Sequence, residues 1–297
     1  MDTERASPRY TDIDLWEPSD ILHAMIEGQM AAVAAVRAAL PAIEQAALAT
    51  EARLREGGRL IYVGAGTSGR LAVQDGAELI PTFNWPKERL LLLMAGGKDA
   101  LLRSVENAED ETGQAIQAIQ QNAIGAPDVV IAVAASGTTP FTLTCLREAR
   151  SRGAFTIGIA NNRDTPILIE ADCSIWLDTG PEPIAGSTRM KAGTAQKMVL
   201  NMITTGAMTR LGYVYENLMV NVHMQNSKLV ERGIRILMSA CKIDRETAVQ
   251  TIKSAGRSVP VALVMLKAKV DKPEAVRRLA KSDGNVRLAI EDNVLEL

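Results

Sequence analysis

At 297 residues, 47% apolar and 23% charged, the chain can bury a full core and is too apolar to be disordered. A formal net charge of −2, no extended basic run and 3% aromatics exclude the usual nucleic-acid binders, which need a positive face or stacking platforms. No apolar run reaches the length of a membrane span, and the polar start MDTERASPRYTDID carries no secretory signal.

Residues 1–18 read as a polar arm. Residues 19–56 carry helical periodicity, with Pro41 opening a second helix and Gly57-Gly58 ending it. Together, 1–56 are expected to be an arm and helices packed on a central domain, 57–239. In that domain five short apolar runs alternate with helical patterns: LIYVG at 60–64, LLLLMA at 90–95, VVIAVA at 129–134, FTIGIA at 155–160 and CSIWLD at 173–178. Continuous apolar runs suit parallel strands covered on both faces, so the class is α/β, a doubly wound five-stranded parallel sheet. Residues 191–211 predict a core helix with Ala195, Met198, Val199, Met202 and Ile203 on one face, and 215–239 a second long helix carrying His223 as a packing residue. From 240 to 297 three short amphipathic helices predict a small C-terminal domain. Cys145, Cys173 and Cys241 are far apart and form no metal motif with His23 or His223, so they read as reduced, cytoplasmic thiols.

RLIYVGAGTSGR at 59–70 and DVVIAVAASGTTP at 128–140 each break from an apolar run into a small Gly/Ser/Thr turn and then a helix. Such turns aim backbone N–H groups and hydroxyls at an anion, at the positive end of a helix dipole. Gly64, Gly66 and Gly69 match the dinucleotide fingerprint, but that site needs an acid closing the second strand, and Glu88 precedes the strand. Two loops of this kind favour one phosphate held between them. Its candidate donors are the hydroxyls of Thr67, Ser68, Ser136, Thr138 and Thr139, whose alternative role is capping helices.

GAGTSGRLAVQDGAE, ENAEDETG, AASGTTP and GSTRMKAGTAQKMVLNMITTGAM together resemble the N-acetylmuramic acid 6-phosphate etherases, a branch of the sugar isomerase (SIS) superfamily. The resemblance runs from TER at residues 3–5 to the C-terminal helices. The glucokinase regulators, which bind sugar phosphates without catalysis, share much of the pattern. The resemblance implies flavodoxin-like strand order, a site at the carboxyl ends of the strands, and elimination of lactate from C3 of the sugar followed by hydration. It implies a small-molecule substrate, no nucleic-acid or membrane partner, and no metal or organic cofactor. Glu78, in Asp75-Gly76-Ala77-Glu78, and Glu109, in Glu106-Asn107-Ala108-Glu109-Asp110, match the two catalytic positions, with the acid role at Glu78 and the base role at Glu109. The implied substrate and phosphate contacts are Gly66, Thr67, Ser68, Arg70, Glu106, Ser136, Gly137, Thr138, Thr139, Ser187 and Lys191. The flanks Leu71, Ala72, Val73, Leu79 and Ile80 predict an apolar setting for Glu78, which would hold its proton nearer neutral pH. Arg70 reads as a phosphate ligand or a loop anchor, and Lys191 as a site residue or an exposed helix-start lysine.

Ala77, Leu79, Ile80 and Asn84 depart from the family's D-A-S-E-C-P-P-T-F/Y-G, and Thr138 and Phe141 replace its arginine and tyrosine in A-S-G-R-T-P-Y. The rivals are a non-catalytic sugar-phosphate regulator and an aldose–ketose isomerase. Retention of both acids favours the etherase. The apolar helices at 191–211 and 215–239 predict a homodimer.

Overall fold

The structure, a computed structural model, describes residues 1–291 apart from His223, Gln225 and Asn226; the reading of His223 as a packing residue lies outside the described residues. The chain falls into two compact units, Met1–Ala77 with Lys87–Thr204, and Glu78–Pro86 with the chain from Thr205 onward.

The first unit opens with three single 3-10 turns, then α1 (Pro18–Ala38) and α2 (Leu40–Arg55). Strands and helices then alternate: β1 (Leu60–Gly64), α3 (Gly66–Phe83), β2 (Leu90–Met94), α4 (Thr112–Gln121), β3 (Val129–Val133), α5 (Pro140–Ser151), β4 (Phe155–Ala160), α6 (Pro166–Glu170), β5 (Cys173–Trp176) and α7 (Lys191–Arg210). The sheet is parallel throughout in the order β2-β1-β3-β4-β5, the flavodoxin-like order expected. Every residue of β1 and β3 is buried, because helices cover both faces. Ile61, Val63, Val130 and Ala132 share a core with Ala115 and Ile119 of α4 and Cys145 and Leu146 of α5. Tyr62, pointing the other way, meets α3, where a side chain at Gly76 would lie 3.0 Å from its ring.

The amino ends of β1 and β3 are clamped together. Asp128 accepts from the Arg59 backbone N–H (3.1 Å), Nε (3.0 Å) and Nη2 (2.7 Å) and from the Gly125 N–H (3.0 Å). Burial pushes the Asp128 pKa up, but these donors and the Arg59 charge outweigh it and hold the carboxyl below its usual range.

The second unit contains a hairpin, β6 (Val214–Tyr215) with β7 (Leu218–Met219), and then α8 (Ser227–Cys241), α9 (Arg245–Ser254), α10 (Val259–Ala268), α11 (Lys272–Lys281) and α12 (Val286–Glu291). Val220, Leu237, Ala248, Leu263, Val264, Ala275 and Val286 form its fully buried centre. Asp244, Ser258 and Asp271 start α9, α10 and α11 by accepting from the backbone N–H three residues on.

Two expectations need correction. Residues 215–239 are not one helix: the chain turns through Glu216 at φ +55° into the hairpin, and the helix starts only at Ser227. The last helical pattern splits at the Ser282–Asn285 turn, so four short helices follow residue 244 among the described residues. The N-terminal arm is docked, with Thr3 and Tyr10 buried. No single described helix is long and apolar enough to cross a membrane.

Candidate active site

β1 and β3 are neighbours in register, with Gly64 beside Val133, so the two hydroxyl-rich loops leave the sheet side by side at its carboxyl edge. The first loop needs its glycines for distinct reasons. Gly66 sits at φ +53°, while a Cβ on Gly64 or Gly69 would come within 2.8 Å of the other's backbone. This closeness sets the start of α3 against β1 and places Ser68, 7% exposed, in its first turn, with Thr67 half-buried beside it. In the second loop Gly137 is at φ +72°, and a Cβ there would lie 2.1 Å from Thr165 Oγ1. Ser136 Oγ accepts from the Thr138 N–H at 3.2 Å and lies 3.2 Å from Thr139 Oγ1, so this hydroxyl also shapes its own loop.

The loops after β4 and β5 complete the edge with residues that the sequence reading missed. Asn161 donates through its side chain to the Leu177 carbonyl (3.2 Å) and lies 3.3 Å from Thr179 Oγ1, while Gln196 of α7 donates to Asn161 Oδ1 at 2.9 Å. Asn162 donates to the carbonyl of Ala135, the residue before Ser136, at 2.9 Å. Glu182 caps α7, accepting from the backbone N–H groups of Lys191 (3.0 Å) and Ala192 (2.9 Å). The sequence signal for this layer was the Asn161-Asn162 pair directly after FTIGIA; its side-chain partners are 16 to 159 residues away.

Lys191 is not the exposed helix-start lysine. It is 5% exposed and donates to the Pro181 carbonyl at 2.6 Å. Burial lowers its pKa, the Glu182 carboxylate partly opposes this, and Arg9 adds to the lowering. Ser187 is half-buried in the preceding turn. Of the two readings of Arg70, the geometry gives the anchor: its guanidinium donates to the carbonyls of Ala100 (3.0 Å) and Arg103 (3.3 Å).

Glu78 sits differently from expectation. Glu78 is on the exposed side of α3, whereas Ala72 and Leu79 face inward, so the flanking apolar residues do not enclose its carboxylate. Glu109 is also exposed, on the 3-10 turn Ala108–Asp110 that buried Ala108 pins to the core, with Glu106 exposed just before it. The buried carboxylate of the DGAE segment is Asp75, 5% exposed. It accepts from the Tyr62 hydroxyl and the Asn201 side chain and lies 3.2 Å from Thr204 Oγ1, while Lys197 donates to Asn201. Burial raises the Asp75 pKa against those donors and holds the Tyr62 phenol well above its ordinary value. This network fastens α3 to β1 and α7.

The fold, a five-stranded parallel sheet in flavodoxin-like order with glycine-shaped loops on adjacent strands, is that of a SIS domain. A SIS domain model matches residues 108–206, and the model of the glucokinase regulatory protein N-terminal SIS domain matches 42–150. A Bacteroides fragilis protein described as a phosphosugar isomerase involved in capsule formation shares the fold, with a TM-score of 0.52 at 19% identity, over 68% of this chain and 97% of that one. The N-acetylmuramic acid 6-phosphate etherase of Deinococcus radiodurans is 48% identical over 285 residues, 96% of this chain and 93% of that protein. That of Edwardsiella ictaluri is 44% identical over 292 residues, 98% of this chain and 97% of that protein. The chain belongs to the N-acetylmuramic acid 6-phosphate etherase family.

Proposed function

We propose that this protein cleaves the lactyl ether of N-acetylmuramic acid 6-phosphate, giving N-acetylglucosamine 6-phosphate and D-lactate. The observation that carries the reading is the 48% identity across 96% of the chain, joined to acids retained at Glu78 and Glu109. The 6-phosphate is taken by the loop N–H groups around Gly66 and Gly137 and by Thr67, Ser68, Ser136, Thr138 and Thr139, at the positive ends of α3 and α5. Ser187 and Lys191 complete the phosphate contacts, Glu106 accepts from sugar hydroxyls, and Arg70 supports the first loop.

Ring opening exposes a C1 aldehyde, which acidifies the C2 proton. Glu109 removes that proton as general base while Glu78 protonates the ether oxygen, so the C3–O bond breaks and lactate leaves. Water then adds across the C2–C3 double bond, its oxygen to C3 and a proton to C2. Water is the only co-reactant, and no metal or organic cofactor takes part.

The test is incubation with N-acetylmuramic acid 6-phosphate and an enzymatic assay for D-lactate; stoichiometric release is expected. Sugar-phosphate binding without release would overturn the etherase in favour of the regulator reading, which the match over residues 42–150 supports.

The active form is a cytoplasmic homodimer. The face of α7 first expected to supply the contact is mostly turned inward: Ala195, Val199 and Ile203 are fully buried and Met198 half-buried, with Met202 37% exposed. Support comes instead from α1, which turns Ala24, Gly28 and Ala32 inward and leaves Leu22, Ile26, Met30 and Val33 57–71% exposed. Spacings of four, four and three make one apolar stripe, which a second copy of the chain would cover. Free cysteines at 145, 173 and 241 suit a reducing compartment.

A further inference from the structure

The first residues of the chain are held more tightly than an exposed polar terminus requires. Thr3 is 1% exposed. Its N–H donates to Asn162 Oδ1 (3.2 Å), its hydroxyl accepts from Asn162 Nδ2 (2.9 Å), and its carbonyl accepts from the Gly186 N–H (3.0 Å). The backbone N–H, the backbone carbonyl and the hydroxyl of this residue are thus all engaged. A second pin follows at Tyr10, 8% exposed, whose hydroxyl packs over Gly28 beside the Lys191 stem.

The fastening points belong to the candidate site. The other hydrogen of the Asn162 amide goes to the carbonyl of Ala135, so one side chain ties Thr3 to the residue before Ser136. Gly186, which holds the Thr3 carbonyl, is the residue before Ser187. Thr3 is therefore wedged between the loop after β4 and the loop after β5, and Asn162 links it to the loop after β3. The next side chain, Glu4, is exposed, and its carboxylate lies over Gly186, with Oε2 2.9 Å from where a Cβ would stand. A side chain at 186 would collide with it.

We propose that the N-terminal tip is a wall of the substrate site, with Thr3 as a positioning residue and Glu4 as a substrate-binding residue. A carboxylate only accepts, so Glu4 takes hydrogen bonds from hydroxyls of the sugar chain. The inference rests on the sugar-phosphate reading of the site and adds a contact that the two phosphate loops do not supply. Asn162 couples the two: the amide that seats the tip also holds the loop carrying Ser136.

The test compares the full chain with Glu4→Ala, Thr3→Val and Thr3→Ser, measuring KM and kcat for lactate release, the Kd for N-acetylglucosamine 6-phosphate by calorimetry, and the melting temperature. Glu4→Ala should raise KM and Kd by about tenfold to a hundredfold, with kcat within about threefold and melting unchanged. Thr3→Val should raise KM by several-fold, and Thr3→Ser, which restores the hydroxyl, should return it to the wild-type value. Wild-type KM and Kd in Glu4→Ala overturn the proposal, as does a Thr3→Val defect confined to melting temperature. A wild-type chain that binds the product but releases no lactate defeats the etherase reading instead, and the Kd series still decides the role of Glu4.

Discussion

Glu78 carries the heaviest chemical assignment and sits on the exposed face of its helix. In Glu78→Gln the amide cannot protonate a leaving alkoxide, so lactate release should fall by about 10²–10⁴-fold. N-acetylglucosamine 6-phosphate should still bind, because the phosphate loops are untouched. Near wild-type turnover by steady-state lactate assay would remove the acid assignment. Asp75, one turn earlier, illustrates where a residue-scale reading reaches its end. The apolar letters around DGAE do mark a buried carboxylate, but the helix turns Asp75 inward to Tyr62 and Asn201 and turns Glu78 outward. Composition of flanks does not resolve which of two acids three residues apart takes the interior. Only the partners on β1 and α7 do that. The Asn161-Asn162 pair showed only that polar residues follow the strand; the role of Asn162 depends on Ala135 and Thr3, which the fold brings from far along the chain.

At the scale of elements, the sheet separates stability from function. Its amino edge is held by the Arg59–Asp128 clamp and its carboxyl edge presents the loops. Asp128→Ala leaves the Arg59 guanidinium facing a vacated pocket and should cost about 3 kcal/mol, at the lower end for a broken buried pair because Arg59 keeps some solvent. KM for the sugar phosphate should not change. Because the folded Asp128 pKa is depressed, its contribution is present above the ordinary aspartate value near about 3.9 and is lost as pH falls through the folded value. Urea melts at pH 7 should separate the wild type from the variant, and the gap should narrow progressively as pH falls from the ordinary aspartate value through the lower folded one. A gap that persists unchanged in acid would contradict the clamp. The strands of this sheet were legible because parallel strands buried on both faces are continuous apolar runs, and GAGTSG was legible because few other local structures need glycines in that pattern. The hairpin at 214–219 was not. Its strands are two residues each, too short for an alternation to be read, and its turn depends on a positive φ at Glu216, an uncommon residue for that conformation.

At the scale of the whole molecule, the exposed apolar stripe of α1 gives the proposed dimer its test. Light scattering should give twice the 31.9 kDa chain mass at micromolar concentration. Ile26→Asp with Met30→Asp should give a folded monomer, because both side chains are exposed within one chain and their replacement opens no cavity. A wild-type monomer at full activity would exclude the dimer. The central claim, elimination followed by hydration, is tested most directly by running the reaction on N-acetylmuramic acid 6-phosphate in H2(18)O and D2O and locating the labels. The mechanism predicts D-lactate that keeps its unlabelled ether oxygen, and N-acetylglucosamine 6-phosphate with 18O at C3 and deuterium at C2, resolved by carbon NMR from the freely exchanging C1. Label in the lactyl hydroxyl, or an unlabelled C3, would mean that the bond breaks on the other side of the oxygen, and would contradict the roles given to Glu78 and Glu109.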